Sequence, residues 1–99
     1  MNISLDYDDT YTRDPKMWNK FVDIARAAGH KVYCVTMRYR SEGGIVIHDL
    51  EDRVDDIFFT GRQAKQPFML KEQGINIHVW IDDNPSWINT DALPMIGME

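Results

Sequence analysis

The stretch Asn2-Ile3-Ser4-Leu5-Asp6-Tyr7-Asp8-Asp9-Thr10 is a short apolar run that ends in three carboxylates and a threonine. Residues 2–7 are predicted to form a buried strand. Because strand side chains alternate with period two, Asp6 and Asp8 are expected on the same side of the chain. Two carboxylates so close repel each other unless a cation lies between them. The stretch therefore predicts either a divalent-metal site with a carboxylate nucleophile, or a strand that runs into a solvated acidic turn.

The composition is that of one globular domain. The chain has 99 residues, of which 43% are hydrophobic and 27% are charged, and we expect a single domain over residues 1–99. No apolar run approaches the roughly 20 residues that span a bilayer, and the first residues lack a secretory-signal pattern. The single cysteine, Cys34, is expected to be a buried thiol in a reducing compartment. These features predict a cytoplasmic protein without a membrane partner.

The charge distribution disfavours one class of partner. The net charge is −5, and the lysines and arginines are not gathered into a stripe. Nonspecific nucleic-acid binding draws most of its affinity from the neutralisation of phosphates. A nucleic-acid partner is therefore not indicated by charge, although a nucleotide or a nucleic-acid end bound locally stays open.

Helix and strand signals alternate after the opening strand. Asp14-Pro15 is a helix start, with Asp as the N-cap and Pro at the first helical position. Apolar residues from Met17 to Ala28 then follow at three- and four-residue spacing, and Gly29 is expected to cap the helix end. The later predicted elements are strands over 31–36, 56–60 and 77–81, helices over about 41–53 and 65–73, a single turn from Ser86, and a short edge strand over 92–96.

This order predicts an α/β fold: a Rossmann-like three-layer α/β/α sandwich with a small, mostly parallel sheet. In such sheets ligands bind beyond the carboxyl ends of the strands, where strand order reverses. The polar residues at these ends are therefore the candidate site residues. They are Asp6, Asp8 and Thr10 after the first strand, Thr36 at the end of the second, Asp82 and Asp83 after the fourth, and Lys65 at the start of the helix before the fourth strand.

In this order, these residues resemble the motifs of the haloacid dehalogenase (HAD) superfamily of phosphohydrolases. The resemblance extends from Asn2 to about Trp87, and it implies that the first strand lies between the second and the fourth. The chain departs from the pattern at Tyr11, where the family commonly has an aliphatic residue. The four motifs are matched by Asp6-Tyr7-Asp8-Asp9-Thr10, Val35-Thr36, Lys65 and Asp82-Asp83.

The resemblance implies a Mg²⁺-dependent phosphatase that hydrolyses phosphate monoesters through an aspartyl-phosphate. Asp6 would be the nucleophile, and Asp8 would be the general acid and base. The metal would be held by Asp6, by the Asp8 backbone oxygen and by an acid of the fourth motif. Either Asp82 or Asp83 could supply that last ligand, and the resemblance favours Asp83, with Asp82 paired to the lysine.

The resemblance also implies which residues hold the phosphorylated substrate. Thr36 would bind the phosphoryl oxygens, and Lys65 would stabilise developing charge and fix the nucleophile. Thr10 and Arg38 belong to the same predicted substrate-binding set. Trp87, just beyond the fourth motif, could line the site, but packing against the protein is favoured. For Arg38, Arg40 and Arg62, a solvated side chain stays open as the alternative to a substrate contact.

Several alternatives remain at this level. The short connections leave no room for a cap domain, so the site is expected to be open, and a homo-oligomer in which a neighbouring subunit covers it stays possible. Nucleotides or small phosphometabolites are favoured as substrates over phosphorylated nucleic-acid ends or proteins. A non-enzymatic phospho-acceptor module that resembles response-regulator receivers is a different class. Those modules carry the acceptor Asp at the end of the third strand, where this chain has Phe59-Thr60.

Overall fold

Four parallel strands form a single sheet in the computed structural model, which describes residues 1–92. The predicted α/β fold is confirmed, with helices between successive strands and no cap domain within these residues. The elements are β1 (Asn2–Leu5), α1 (Pro15–Ala27), β2 (Lys31–Thr36), α2 (Gly44–Leu50), β3 (Asp56–Phe59), α3 (Lys65–Pro67), β4 (Val79–Ile81) and α4 (Ser86–Asn89).

The strand order is β3-β2-β1-β4, so β1 lies between β2 and β4 as expected. The chain builds the sheet in one direction from β1 to β3 and then returns to add β4 on the other side of β1. The reversal of strand order therefore falls between β1 and β4, where Ser4 pairs with Trp80 and Leu5 pairs with Ile81. In open α/β sheets this is the position of the ligand crevice.

Helix α1 begins and ends as predicted. The Asp14 side chain accepts a hydrogen bond from the Met17 backbone N–H (3.2 Å), and Gly29 has the left-handed backbone (φ 96°) of a helix C-terminus. The predicted apolar face, from Met17 to Ala28, is longer than the face that is buried. Val22 and Ala25 are buried at the centre, whereas Met17 near the start of the helix and Ala28 at its end are exposed.

Helix α2 is shorter than the predicted helix over about 41–53. A single 3₁₀ turn, Arg40–Glu42, precedes it, and the helix starts only after Gly43. A Cβ atom at Gly43 would lie 2.3 Å from the Phe59 ring, so only glycine fits at this close approach. Packing against β3 therefore decides where this helix begins.

The segment before β4 is helical as predicted, but α3 continues as a π-helix over Phe68–Gln73. Gly74 ends it with a left-handed backbone (φ 67°). The predicted strand over 77–81 is reduced to Val79–Ile81, and the predicted single turn from Ser86 is α4. The predicted edge strand over 92–96 lies outside the described residues except for Ala92, which is not in a strand.

The core lies on both faces of the sheet. On one face, α1 and α2 cover Ile3, Leu5, Val32 and Cys34. On the other face, Met69 covers Val35, and the half-buried Tyr33, Phe58 and Trp80 pack beside it. Alternate residues of β2 thus enter opposite clusters, as the period of a strand requires. None of the helices within residues 1–92 is long and apolar enough to cross a membrane.

Candidate active site

The turn after β1 places the first acidic motif beside β4. The Asp6 backbone N–H donates to the carbonyl of Ile81 (3.0 Å), and the Tyr11 N–H donates to the carbonyl of Asp6 (3.1 Å), so the chain folds back at once. Because β1 ends at Leu5, the period-two argument for Asp6 and Asp8 was wrong. The turn, rather than the pleat of a strand, brings both residues to the border of one cavity.

Lys65 is a buried lysine that bridges two carboxylates. Its side chain is only 1% exposed, and its Nζ donates to Asp6 Oδ1 (2.9 Å) and to Asp82 Oδ2. The other Asp82 oxygen accepts from the Asn84 backbone N–H (3.0 Å). A buried ammonium group is costly without anionic partners, so the two carboxylates hold Lys65 in place. Lys71, the other lysine of this segment, is exposed.

Thr10 connects the first and the fourth motifs. Its hydroxyl lies 3.1 Å from Asp6 Oδ2 and 3.2 Å from Asp83 Oδ1, and it accepts from the Asp83 backbone N–H (3.1 Å). A hydroxyl group has one proton, so Thr10 donates to one of the two carboxylates at a time. These contacts make Thr10 a positioning residue that keeps the two acidic side chains close.

The three acids Asp6, Asp82 and Asp83 can present oxygens within 4.8 Å of one another. Lys65 pairs with Asp6 and Asp82, which leaves more carboxylate charge in this cluster than one ammonium group balances, and hard carboxylate oxygens are the ligands that Mg²⁺ prefers. The donor set is thus compatible with Mg²⁺. Both oxygens of Asp82 already have partners, whereas Asp83 is exposed and its Oδ1 lies 3.2 Å from the Thr10 hydroxyl. Asp83 is therefore better placed than Asp82 to take a cation.

Burial decides the protonation of Asp6. Desolvation raises the pKa of Asp6 from 3.8 to about 7, although the neighbouring Lys65 acts in the opposite direction. Burial also acts to lower the pKa of Lys65, but its attraction to Asp6 and Asp82 outweighs this and leaves that pKa above its ordinary value. Without a further cation, Asp6 is thus held near the balance between its neutral and its ionised form at neutral pH.

Asp8 has the opposite environment. Its side chain is about half exposed, and its two oxygens accept from Arg38 Nε (2.9 Å) and Arg38 Nη2 (2.8 Å). These hydrogen bonds lower the pKa of Asp8 below its ordinary value. Arg38 is fixed in turn by the carbonyl of Glu42 (2.7 Å) and lies over the Tyr7 ring, with Cζ 5.5 Å from the ring centroid. Because the planar guanidinium of Arg38 binds both oxygens of the carboxylate, it fixes the orientation of the Asp8 side chain.

Five of the predicted site residues border one cavity of about 190 Å³, which we call the inner cavity: Asp6, Asp8, Thr36, Lys65 and Asp83. Thr36 is buried, and its hydroxyl accepts from the Arg38 backbone N–H (3.3 Å). Two further predicted residues do not border the cavity but contact residues that do. Thr10 contacts Asp6 and Asp83, and Asp82 pairs with Lys65. Residues from β1, β2, α3 and the end of β4 therefore meet at one point, although they are distant in the sequence.

The other two candidate arginines, Arg62 and Arg40, lie at different places on the protein. Arg62 pairs with Glu42 (3.1 Å), lies over the Tyr39 ring and borders a second cleft, which Asp8 and Arg38 also border. Arg40 stacks on the Phe59 ring, with Cζ 5.3 Å from its centroid, and borders a different groove that lies between α2 and β3. Arg40 is thus not part of the candidate site.

Sequence reasoning left one feature of the site open and missed another. Packing was favoured for Trp87 over a place in the site, but the residue is 39% exposed and borders the inner cavity. Tyr7 is buried between the two motif aspartates, and its hydroxyl donates to Asp49 Oδ2 (2.6 Å). The Tyr11 ring stacks on it (centroids 5.8 Å apart), which explains an aromatic residue at that position. No local pattern predicts the contact between Tyr7 and a helix more than forty residues later.

Cys34 is the other nucleophilic side chain near these residues. It is fully buried, and burial raises the pKa of its thiol above the ordinary value. A thiol that stays protonated and lacks access to solvent is chemically inert. Asp6 is therefore the better candidate nucleophile at this end of the sheet.

Comparisons with known proteins identify no relative: no family model matches the chain, no curated protein matches its sequence, and no solved structure matches its fold.

Proposed function

We propose that this protein is a Mg²⁺-dependent phosphatase of the haloacid dehalogenase type, which hydrolyses phosphate monoesters through an aspartyl-phosphate. One observation carries the proposal. The buried carboxylate of Asp6 is held by Lys65 and Thr10, and it borders an inner cavity together with Asp8, Thr36 and Asp83. A fixed carboxylate beside hydrogen-bond donors and a second acid is the arrangement that phosphoryl transfer needs.

In the first step an Asp6 oxygen attacks phosphorus, and the bond from phosphorus to the leaving oxygen breaks. Asp8 gives its proton to that leaving oxygen, so the alcohol departs neutral. In the second step water attacks phosphorus, the bond from phosphorus to the Asp6 oxygen breaks, and Asp8 takes a proton from this water. Inorganic phosphate leaves, and the Asp6 carboxylate is regenerated.

Charge control supports the same assignment. An anion attacking a dianion is unfavourable, and bound Mg²⁺ would offset this charge. Asp6, Asp83 and the backbone oxygen of Asp8 would hold the cation. Lys65 would keep Asp6 ionised and oriented, and the Thr36 hydroxyl would donate to a phosphoryl oxygen.

Arg38 has a place in this proposal because of its present partner. A phosphoryl dianion in the inner cavity would compete with Asp8 for the guanidinium. When Arg38 turns to the phosphoryl oxygens, Asp8 loses the contact that lowers its pKa. Substrate binding would thus prepare Asp8 to carry a proton.

The experiment is an assay of the purified protein with an aryl phosphate. We expect hydrolysis with Mg²⁺, no hydrolysis after chelation, and a loss of at least about 10³-fold in kcat for Asp6→Asn, since the covalent route is removed. Asp23→Asn is the matched control, because Asp23 is an exposed carboxylate on α1. Activity that survives chelation, or an Asp6→Asn variant that turns over normally, would sink the mechanism.

One observation favours a second candidate, the non-enzymatic phospho-acceptor module. The hydrogen bonds from Arg38 lower the pKa of Asp8 below its ordinary value and so favour its ionised form, and an ionised carboxylate cannot protonate a leaving group. Incubation with a small acyl phosphate and Mg²⁺ separates the two functions. A phosphatase turns over repeatedly, whereas an acceptor module takes up one phosphoryl group on Asp6 and keeps it.

A further inference from the structure

A second cleft opens directly beside the inner cavity. It encloses about 550 Å³ and shares three bordering residues with the inner cavity: Asp8, Met37 and Trp87. We call it the outer cleft. Its volume is in the range of small-molecule sites, about 300–1,000 Å³. The inner cavity, at about 190 Å³, is smaller than this range. The two spaces thus suit different parts of one ligand.

The position of Asp8 indicates which part of the substrate each space would hold. Asp8 stands on the border of both spaces. In the proposed reaction it protonates the oxygen that joins the phosphoryl group to the rest of the substrate. The phosphoryl group therefore belongs in the inner cavity beside Asp6, and everything beyond the joining oxygen belongs in the outer cleft.

Trp87 shapes the outer cleft. Its indole is 39% exposed on the short helix α4, whose first turn is closed by a hydrogen bond from the Trp87 backbone N–H to the carbonyl of Asn84 (3.1 Å). A single exposed aromatic residue is ordinary on a protein surface. Here, however, it borders the two spaces that flank the candidate acid, together with Met37. This wall suits a flat aromatic group, which stacks on an indole face.

The charges of the outer cleft exclude a strongly anionic occupant. Arg38 pairs with Asp8, and Arg62 pairs with Glu42 through both of its terminal nitrogens (3.1 and 3.2 Å). In the proposed reaction Arg38 turns from Asp8 to the phosphoryl group of the inner cavity, so among the described residues that border the cleft no cation is left for a second phosphate. A second phosphate group needs unpaired cationic donors. The occupant is therefore flat and carries no phosphate beyond the one in the inner cavity.

We infer, on the basis of the proposed phosphatase function, that the substrate is a nucleoside monophosphate whose base stacks on Trp87 in the outer cleft. A nucleoside is an uncharged leaving group with a large aromatic face. A phosphorylated nucleic-acid end fits less well, because its further phosphates would meet paired arginines.

The test compares kcat/KM for adenosine monophosphates, phosphorylated at the 5′ or the 3′ position, with kcat/KM for ribose 5-phosphate, which lacks the base. We expect the wild-type protein to prefer the better adenosine monophosphate by about 10- to 100-fold, the range that base stacking on an aromatic side chain supplies. Trp87→Ala should collapse this ratio toward one, and Trp87→Phe should retain most of it. A wild-type ratio near one, or a ratio unchanged in Trp87→Ala, overturns the inference.

Two further measurements separate this inference from the proposed function. If the wild-type protein hydrolyses an aryl phosphate with Mg²⁺ but shows no preference for the base, the inference is wrong and the phosphatase stands. If nothing is hydrolysed, calorimetric titration with adenosine monophosphate and ribose 5-phosphate decides. Tighter binding of the nucleotide that is lost in Trp87→Ala supports the outer cleft, and equal binding overturns it. Faster hydrolysis of a phosphorylated oligonucleotide or phosphopeptide also overturns it.

Discussion

The inner cavity is bordered by two ion-pair systems that differ in burial and in the direction in which the aspartate pKa is shifted. Lys65 with Asp6 and Asp82 is buried, whereas Arg38 with Asp8 is partly exposed to solvent. Burial raises the pKa of Asp6 to about 7, and the Arg38 contact lowers the pKa of Asp8. The same residue type therefore has opposite protonation tendencies at positions two residues apart.

This difference is the reverse of what the proposed chemistry needs. A nucleophile must be ionised, and a general acid must hold a proton. A cation beside Asp6 would favour its ionised form, and a phosphoryl group that takes Arg38 would free Asp8 to be protonated. Under the proposed function, the arrangement would be a resting site that bound metal and substrate would together convert to the active protonation states.

The greatest loss of stability is expected when the buried ion pairs of Lys65 with Asp6 and Asp82 are removed. Lys65→Met should lower the free energy of unfolding at pH 7 by about 3–5 kcal/mol, because it leaves two buried carboxylates without their cation. Lys71→Met is the matched control, since Lys71 is exposed on the same segment, and it should change the free energy by less than about 0.5 kcal/mol. Urea unfolding of both variants measures the difference.

A double variant sharpens this result. Adding Asp6→Asn to Lys65→Met should recover part of the loss, because one of the two unpaired charges is removed. A Lys65→Met protein as stable as the wild type would show that the buried ion pairs contribute little.

The next effect concerns pH and metal. Because the pKa of Asp6 lies at about 7 in the folded protein and ordinarily at 3.8, protonation of Asp6 stabilises the fold fully below about pH 4. This contribution is lost as the pH rises through about 7. Since Mg²⁺ binds the ionised carboxylate, the stabilisation by Mg²⁺ should grow over the same window. We expect about 2–3 kcal/mol at pH 8 when Mg²⁺ is about 100 times its Kd.

Thermal unfolding with Mg²⁺ or with a chelator, between about pH 5 and pH 8, measures this growth. Asp6→Asn should lose most of the pH dependence of the Mg²⁺ effect. Equal stabilisation by Mg²⁺ at both ends of the window would contradict the assignment of Asp6 as a ligand.

The smallest change in stability is expected when the partly exposed ion pair between Arg38 and Asp8 is removed. Arg38→Gln should change the free energy of unfolding by less than about 1 kcal/mol, because partly exposed ion pairs contribute little. The pKa of Asp8 should nevertheless rise toward its ordinary value, since the hydrogen bonds that lower it are gone. Carboxyl NMR titration of Asp8 measures this change. In Arg40→Gln, the matched control, Asp8 should titrate as in the wild type, because Arg40 stacks on Phe59.

Much of the fold was predictable because its signals are local. The Asp14-Pro15 start of α1, the left-handed Gly29 that ends it and the full extent of β2 depend on neighbouring residues alone. The start of α2 was not predictable, because it depends on the close approach of Gly43 to Phe59. The π-helix that continues α3 also has no signal in the hydrophobic periodicity.

Local signals predict the order of strands and helices and the types of polar residue at the strand ends, because caps, breakers and periodicity act within a few residues. The partners of those polar residues depend on the tertiary fold. Asp6 meets Lys65 across 59 positions, and Asp8 meets Arg38 across 30. Burial and distance between such remote residues determine the two opposite pKa shifts, and no local pattern records either quantity.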